Sequence, residues 1–385
     1  MKKRKICVVV TARPSYSRVR KALEKIKDHK NLELQLVVSA SALLSKYGNA
    51  IKFIEKDGFK VTDKVYSIVD GENIVSSAKT TGLSIIELSS VFNRIKPDIV
   101  VTIADRYETI ATAIAASYMN IPLAHLQGGE VTGNIDEKVR HSITKLADYH
   151  LTCSDESKER VIKLGENPDF VFNTGCPSVD IAKDVINNPT IDFNIREKYP
   201  GVGKVIDFSK NYLVVLQHPV TTEFSESFNQ ISITLNAINN INMQTIMLWP
   251  NIDSGSSGTS KGIRVFREKF PDNKIYFSTG IEPSDFLKII FNSSCLIGNS
   301  SVGIRESAFL GIPVVNIGSR QNKRERGNNV VDVEHDSKQI ENAIVSSINS
   351  KKFQQDFRFG RGDSGEKIAE ILSYVELKFH KTITY

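Results

Sequence analysis

Tryptophan occurs once in these 385 residues, and methionine and cysteine four times each. The cysteines (Cys7, Cys153, Cys176, Cys295) stand singly beside apolar strand-like runs, and none is spaced as CxxC. That pattern excludes a disulfide-stapled scaffold and a thiolate zinc site, and it predicts buried free thiols in a reducing compartment. No apolar run has the length of a membrane span. Ile6 to Thr11 opens a strand too soon for a signal peptide, so the expected location is the cytoplasm. Neither an HExxH-type metal spacing nor a spelled-out nucleophilic triad occurs. Charge of neither sign dominates: 50 Lys and Arg face 44 Asp and Glu, a formal net charge of +6. No basic run interleaved with aromatics points to nucleic acid. An anionic small substrate suits this balance equally well.

What is present is an ordinary globular composition, 40% hydrophobic and 24% charged, over a length that suits two domains. Apolar runs alternate with helix-like stretches. In the first half the runs are Ile6 to Thr11, Leu34 to Val38, Asp98 to Ile103, Ile121 to Leu126 and Tyr149 to Thr152. Continuous apolar runs of this kind belong to a parallel sheet covered on both faces. Helices are expected at Val19 to Ile26, Ala42 to Asp57, Asn73 to Ile95 and Asp105 to Tyr118, with Arg13 to Ser17 as a turn. A polar interval from about Asp184 to Asn211 separates the halves. The pattern then restarts with Tyr212 to Leu216, Gln244 to Trp249, Lys274 to Phe277, Cys295 to Ile297 and Val314 to Ile317. The predicted fold class is α/β: two Rossmann-like doubly wound domains facing a cleft. The expected boundaries are 1–185 and 186–365, with a C-terminal helix in 366–385 packing back on the first domain.

In such folds the polar clusters that follow strands gather at the strand carboxyl ends. Between Ile297 and a helix expected from Ile304 to Leu310 lies Gly298-Asn299-Ser300-Ser301-Val302-Gly303. Small residues leading into a helix offer N–H groups and hydroxyls at its positive end, which suits a phosphate. Glu306, one turn further, would repel that phosphate and makes a better acceptor for a ribose diol. Arg13 precedes Pro14, cannot easily join a helix, and is either a surface arginine or a phosphate ligand. His218 ends a strand before Pro219 and is either structural or a donor to a diphosphate oxygen. In the stretch His125 to His141, Gly128, Gly129 and Gly133 allow a close loop. Asp136 and Arg140, four apart, share a helix face, as a surface ion pair or as site groups. Asp105 and Arg106 follow a further strand. Carboxylates for proton transfer and arginines for an anionic leaving group are thus both on offer.

Taken together, ADRYE (Ala104 to Glu108), HLQGGEVTGNIDEKVRHSITKLADYH (His125 to His150), LQHPVTTE (Leu216 to Glu223), WPNIDSGS (Trp249 to Ser256) and IGNSSVGIRESAFLGIPVVNIGSRQNKRERGNNV (Ile297 to Val330) resemble the hydrolysing UDP-N-acetylglucosamine 2-epimerases. The resemblance runs in matching order over most of the chain. It implies two Rossmann-like domains in the arrangement shared with GT-B glycosyltransferases. It also implies conversion of UDP-N-acetylglucosamine and water to N-acetylmannosamine and UDP through a 2-acetamidoglucal, for sialic acid or related nonulosonic acid synthesis. By the same resemblance Arg13, His218, Ser300 and Ser301 would hold the diphosphate and Glu306 the ribose hydroxyls. Asn251, Arg106 and Arg320 would line the nucleotide and sugar site, with Ser17 and Gln127 counted among the substrate-binding residues. Asp105, Asp136, Arg140 and His218 form the implied catalytic group, with base and acid unassigned. The implied partner is a UDP-sugar, with neither nucleic acid nor membrane, and the implied assembly is a homodimer or homotetramer.

Two positions depart from the family pattern. Gln127 stands where an acid is common, and an amide cannot exchange a proton at neutral pH. Ala42 stands where a histidine is common, five residues before Tyr47-Gly48-Asn49. Both leave open the same chemistry on a 2,4-diacetamido-trideoxy sugar nucleotide. A non-hydrolysing epimerase, a GT-B glycosyltransferase and a catalytically silent sugar-nucleotide sensor are the rival readings. No cofactor is expected, because protein cations and helix-end N–H groups can meet the leaving diphosphate. Turnover after exhaustive EDTA treatment should therefore stay within about twofold of the untreated rate. A loss restored by added Mg²⁺ would overturn that expectation.

Overall fold

Residues of the first strand, β1 (Arg4–Val10), face two cores in turn. Ile6, Val8 and Val10 pack with the helices Arg13–Asp28 and Ser364–Tyr374. Cys7 and Val9 point the other way, to the helices Ile74–Ile95, Thr109–Tyr118 and Ile135–Leu146. A strand apolar at every position is what a sheet covered on both faces requires, and each fully buried Ile or Val contributes about 1.5–3 kcal/mol. The computed structural model describes residues 2–44, 50–70, 74–132, 135–250, 256–378 and 380–384.

The chain forms two units, residues 1–180 with 358–385, and residues 181–357. In the first, β1 is joined by β2 (Leu32–Ser39), β3 (Val61–Val65), β4 (Ile99–Ile103), β5 (Leu123–Leu126), β6 (Tyr149–Thr152) and β7 (Val171–Asn173). The order is β3-β2-β1-β4-β5-β6-β7, all parallel. The second unit holds β8 (Gly201–Gly203), β9 (Leu213–Leu216), β10 (Thr245–Leu248), β11 (Ile275–Ser278), β12 (Cys295–Gly298), β13 (Val314–Ile317) and β14 (Val330–Val333). Its order is β14-β13-β12-β9-β10-β11-β8, parallel except for β8, which runs against β11. The order of each sheet reverses once, between β1 and β4 and between β9 and β12. Ligands in such sheets bind beyond the strand ends at the reversal. The segments there are Ala12–Arg13 and Ala104–Arg106 in the first unit, and Gln217–Pro219 and Asn299–Ser301 in the second.

The ten strands expected from apolar runs are the inner ones. The other four, β3, β7, β8 and β14, are the four sheet edges. Edge strands are short and polar because one side lacks a partner and one face meets water: β3 reads VTDKV and β14 VVDV.

Several helices differ from expectation. Arg13 is not held out of a helix but begins one, with Pro14 in its first turn, where the N–H that proline lacks would have had no partner. The helix after β4 starts at Thr109, which leaves Asp105 and Arg106 in an open connection. The stretch from Ile304 to Leu310 is two short helices, Ser301–Ile304 and Glu306–Leu310, broken at Arg305 (φ −98°, ψ −67°). No helix among the described residues is long and apolar enough to cross a membrane.

The change of unit comes earlier than the composition shift suggests, within the helix Pro177–Asn187, and the return comes at 357–358. Asp180 explains the return: its carboxylate accepts from the N–H groups of Ser364 and Gly365 and caps the helix Ser364–Tyr374. Gly365 lies against the backbone of Lys21, where a Cβ would stand 2.8 Å from the carbonyl oxygen.

Glu166, buried in the first unit, ties down the tail that follows that helix. It accepts from Lys145 Nζ at 2.6 Å, from Lys381 Nζ, and pairs with His150 Nε2 at 3.0 Å. Burial pushes its carboxyl up, but the bonds from His150, Lys145 and Lys381 win and hold it at about 2. A depressed carboxyl stabilises above its ordinary value and loses that contribution as pH falls through the folded value. Glu166→Gln should therefore cost about 2–3 kcal/mol at pH 7 and almost nothing at pH 2. Denaturant unfolding at both pH values checks this, and an equal loss at the two would refute it.

Candidate active site

Two neighbouring strands of the first unit end in a non-glycine residue with left-handed backbone, Ala104 (φ 62°) after β4 and Gln127 (φ 67°) after β5. Such residues are costly and persist only where their surroundings hold them. Here the ladder holds them: Ala104 N–H donates to Leu126 O and Gln127 N–H to Leu151 O, each at 3.0 Å. His125 adds a third tie. Its Nε2 meets Ala104 O at 3.0 Å and its Nδ1 meets Thr144 Oγ1 at 3.2 Å. Burial pushes the ring down to about 3, so it is neutral, with Nε2–H donating to the carbonyl. Gly128 packs on that ring, where a Cβ would approach Nδ1 to 3.0 Å.

The turn so held presents Asp105. Arg140, at 0% exposure, donates to the Asp105 carboxylate through Nη2, to Glu130 O through Nη1 at 2.7 Å and to Thr132 Oγ1 at 3.1 Å. Burial pushes the Asp105 carboxyl up, but the guanidiniums of Arg140 and Arg18 outweigh it and hold the group below the ordinary carboxylate range. Asp105 is thus ionised at neutral pH. Asp136, in the first turn of the helix Ile135–Leu146, adds its negative charge near Arg140. Gln127 is buried, its Nε2 donating to Cys176 Sγ at 3.3 Å and its Oε1 facing Arg18 Nη1 at 3.5 Å. Asp105, Asp136, Arg140 and Gln127 are therefore one cluster. Arg106 lies beside it and donates to Glu108 Oε1 at 2.9 Å. Arg13 and Ser17 stand one turn apart on the helix that also carries Arg18. Arg13 stacks on the Phe53 ring at 4.7 Å, and Ser17 donates to Arg13 O at 3.2 Å.

The second unit gathers another set. Gly298, at φ +129°, closes β12 so near β9 that a Cβ would stand 2.2 Å from Leu216 O. His218 is buried, and burial first, then the charge of Arg320, push its ring down to about 3. Arg320 Nη1 donates to Asn299 O at 3.1 Å. Ser300 caps the helix Ser301–Ile304 by accepting from Val302 N–H at 3.4 Å, and Ser301 Oγ accepts from Arg305 Nη2 at 3.0 Å. Glu306 is buried with Oε2 lacking a hydrogen-bond partner, and Arg305 Nε lies 4.0 Å from it. Asn251 lies outside the described residues.

A family model described as UDP-N-acetylglucosamine 2-epimerase matches residues 24–373. The chain belongs to the UDP-N-acetylglucosamine 2-epimerase family. Over 374 residues it is 32% identical to the UDP-N,N'-diacetylbacillosamine 2-epimerase (hydrolyzing) of Legionella pneumophila, covering 97% of each chain. It is 34% identical over 359 residues to the polysialic acid biosynthesis protein P7 of Escherichia coli, covering 92% of this chain and 87% of that one. Its fold is that of the Neisseria meningitidis UDP-GlcNAc 2-epimerase solved with UDP-GlcNAc, at a TM-score of 0.81 and 17% identity over 96% of this chain and 99% of the other.

Several residues of these clusters, among them Arg18, Cys176, Glu130 and Asn299, carry no assigned role in the sequence reading. Arg18 has no local signal, being one polar position on an amphipathic helix. Cys176 looks like any buried thiol. Glu130 and Asn299 do stand inside the quoted motifs, but only the fold turns Glu130 O toward Arg140 and Asn299 toward His218. Arg140→Met would leave the half-buried Asp105 carboxylate with Arg18 as a remaining cation, at the lower end of the about 3–5 kcal/mol that breaking a buried pair costs. Because Asp105 is held below its ordinary 3.8, the pair stabilises above that pH and the contribution fades as pH falls through the folded value. Unfolding should thus show a larger penalty at pH 7 than at pH 2; the same penalty at both would contradict the pairing.

Proposed function

We propose that this protein is a hydrolysing 2-epimerase that turns UDP-N-acetylglucosamine and water into N-acetylmannosamine and UDP. The observation that carries the reading is the end-to-end likeness, at 32% identity, to a relative named as a hydrolyzing 2-epimerase. In the first step a base takes the proton from carbon 2. The C–H electron pair becomes the carbon 1–carbon 2 double bond as the bond from carbon 1 to the diphosphate oxygen breaks, and UDP leaves with the pair of that C–O bond. Water then bonds through oxygen to carbon 1 of the 2-acetamidoglucal and gives up a proton to a base, while an acid delivers a proton to carbon 2 on the face opposite to the one from which the first was taken.

The carbon 2 proton is a weak acid, and a carboxylate held below its ordinary range is a weak base. Stabilising the departing UDP therefore carries much of the barrier. In the second unit the roles fall to His218 as a neutral donor, to Arg320 as a cation, and to Ser300 and Ser301 at the diphosphate. The unpartnered Glu306 Oε2 would accept from the ribose hydroxyls. In the first unit the family resemblance assigns Arg13 to a phosphate and Arg106 to the nucleotide and sugar. Asp105, Asp136 and Arg140 serve the sugar, with proton transfer between the two carboxylates left unassigned. Gln127 binds without exchanging a proton.

A second reading keeps the chemistry and changes the sugar to a 2,4-diacetamido-trideoxy hexose. The name of the Legionella relative supports it, as does an amide at Gln127, which can hydrogen-bond an acetamido group. Proton NMR in heavy water separates the cases. With UDP-N-acetylglucosamine the expected products are free N-acetylmannosamine deuterated at carbon 2 and an equal amount of UDP. UDP-N-acetylmannosamine would mean a non-hydrolysing enzyme. Turnover of UDP-N,N'-diacetylbacillosamine alone would establish the second reading, and an inert protein with both substrates would sink the two together.

A further inference from the structure

Asn299 stands where β12 runs out. The last rung between β9 and β12 pairs Leu216 with Gly298, after which the chain turns into the helix at Ser301. The backbone of His218, two residues beyond that rung, thus has no strand of β12 beside it. The Asn299 side chain fills the place. Its Oδ1 accepts from His218 N–H at 2.7 Å, and its Nδ2 donates to His218 O at 2.8 Å. A primary amide carries the same donor and acceptor as a peptide group, so Asn299 continues the ladder in side-chain form. Its main chain is tied as well. The N–H donates to Leu216 O at 3.2 Å, and the carbonyl accepts from Arg320 Nη1 at 3.1 Å and Gln321 Nε2 at 2.8 Å. One residue, 1% exposed, joins the segments that follow β9, β12 and β13.

We propose that Asn299 is the positioning residue for His218: by holding both backbone polar groups of that residue it fixes where the imidazole points, and its own carbonyl steadies Arg320 beside it. The inference deepens the epimerase reading and rests on it for the role of His218. The side chain has little freedom to vary. Aspartate would set an oxygen against His218 O, serine is too short to reach both groups, and glutamine is longer by a methylene in a closed space.

Two variants test this. Asn299→Ser leaves room for a water to satisfy the His218 backbone, and Asn299→Asp keeps the size with one of the two bonds. The readouts are steady-state UDP release and NMR titration of the His218 ring. In the native protein the ring should stay neutral down to about pH 3. In Asn299→Ser it should turn toward water, with its midpoint rising by about one unit or more. kcat should fall about tenfold or more in both variants, since small misplacements of site groups are costly. In a His218→Ala background Asn299→Ser should cost less than about threefold further, as expected of residues that act as a unit. The proposal is overturned if Tm falls while the midpoint and kcat stay within about twofold of native, or if the full kcat loss recurs without His218. Should the native protein release UDP from no sugar nucleotide, the epimerase reading fails instead, and the titration alone decides on Asn299.

Discussion

Where a parallel strand ends, its last N–H and C=O groups lose their neighbours, yet a buried chain cannot leave them unpaired. Much of the candidate site answers that constraint. After β4 the carbonyl of Ala104 is taken by His125, and beyond β5 the carbonyl of Glu130 is taken by Arg140. After β9 the backbone of His218 is taken by Asn299. In each case a buried polar side chain does what a further strand residue would have done, and the loop so held carries a functional candidate. Rigid strand ends and irregular loops are reconciled at these few residues.

The electrostatics follow from the same burial. Arg140 has no water to solvate its charge, so the Asp105 carboxylate must stay ionised beside it. His218 and His125 are pushed the other way, by burial above all, to neutral rings. The result is a division of labour between charge and hydrogen bonding. The first unit keeps a fixed anion between guanidiniums, and the second offers a neutral donor near a cation. Among the described sequence-derived candidates Glu306 alone keeps a buried oxygen without a hydrogen-bond partner.

Legibility in the sequence tracked burial. Inner strands such as DIVVTI and YLVVLQ are apolar at nearly every position because both faces are covered, and they stand out. Edge strands such as VTDKV and GVG satisfy one neighbour and meet water, so their pattern fades into that of loops. Helix starts were blurred for a related reason. Arg13-Pro14 reads as a break because proline lacks an N–H, while the first turn of a helix is the one place where that loss costs nothing. The site divided similarly. Asp105 and His218 sit directly after strands, and Asp136 and Arg140 in the dense polar motif that follows β5. Arg18 and Cys176 come from a helix face and a distant turn, and no local pattern distinguishes them.

By itself the sequence determined the alternation of strands and helices, hence two Rossmann-like units, and the motif set determined the family. These are local or ordered properties: side-chain periodicity decides strand against helix, and motifs keep their order along the chain. Tertiary structure decided which polar groups meet. That Arg140 turns to Asp105 instead of remaining a surface partner of Asp136, that Gln127 reaches Cys176, and that Asn299 completes the ladder at His218 depend on sheet order. Sheet order joins β1 to β4 and β9 to β12 across long stretches of chain. Spacing cannot encode such meetings, because the distance between two strand ends in space is independent of their distance in sequence.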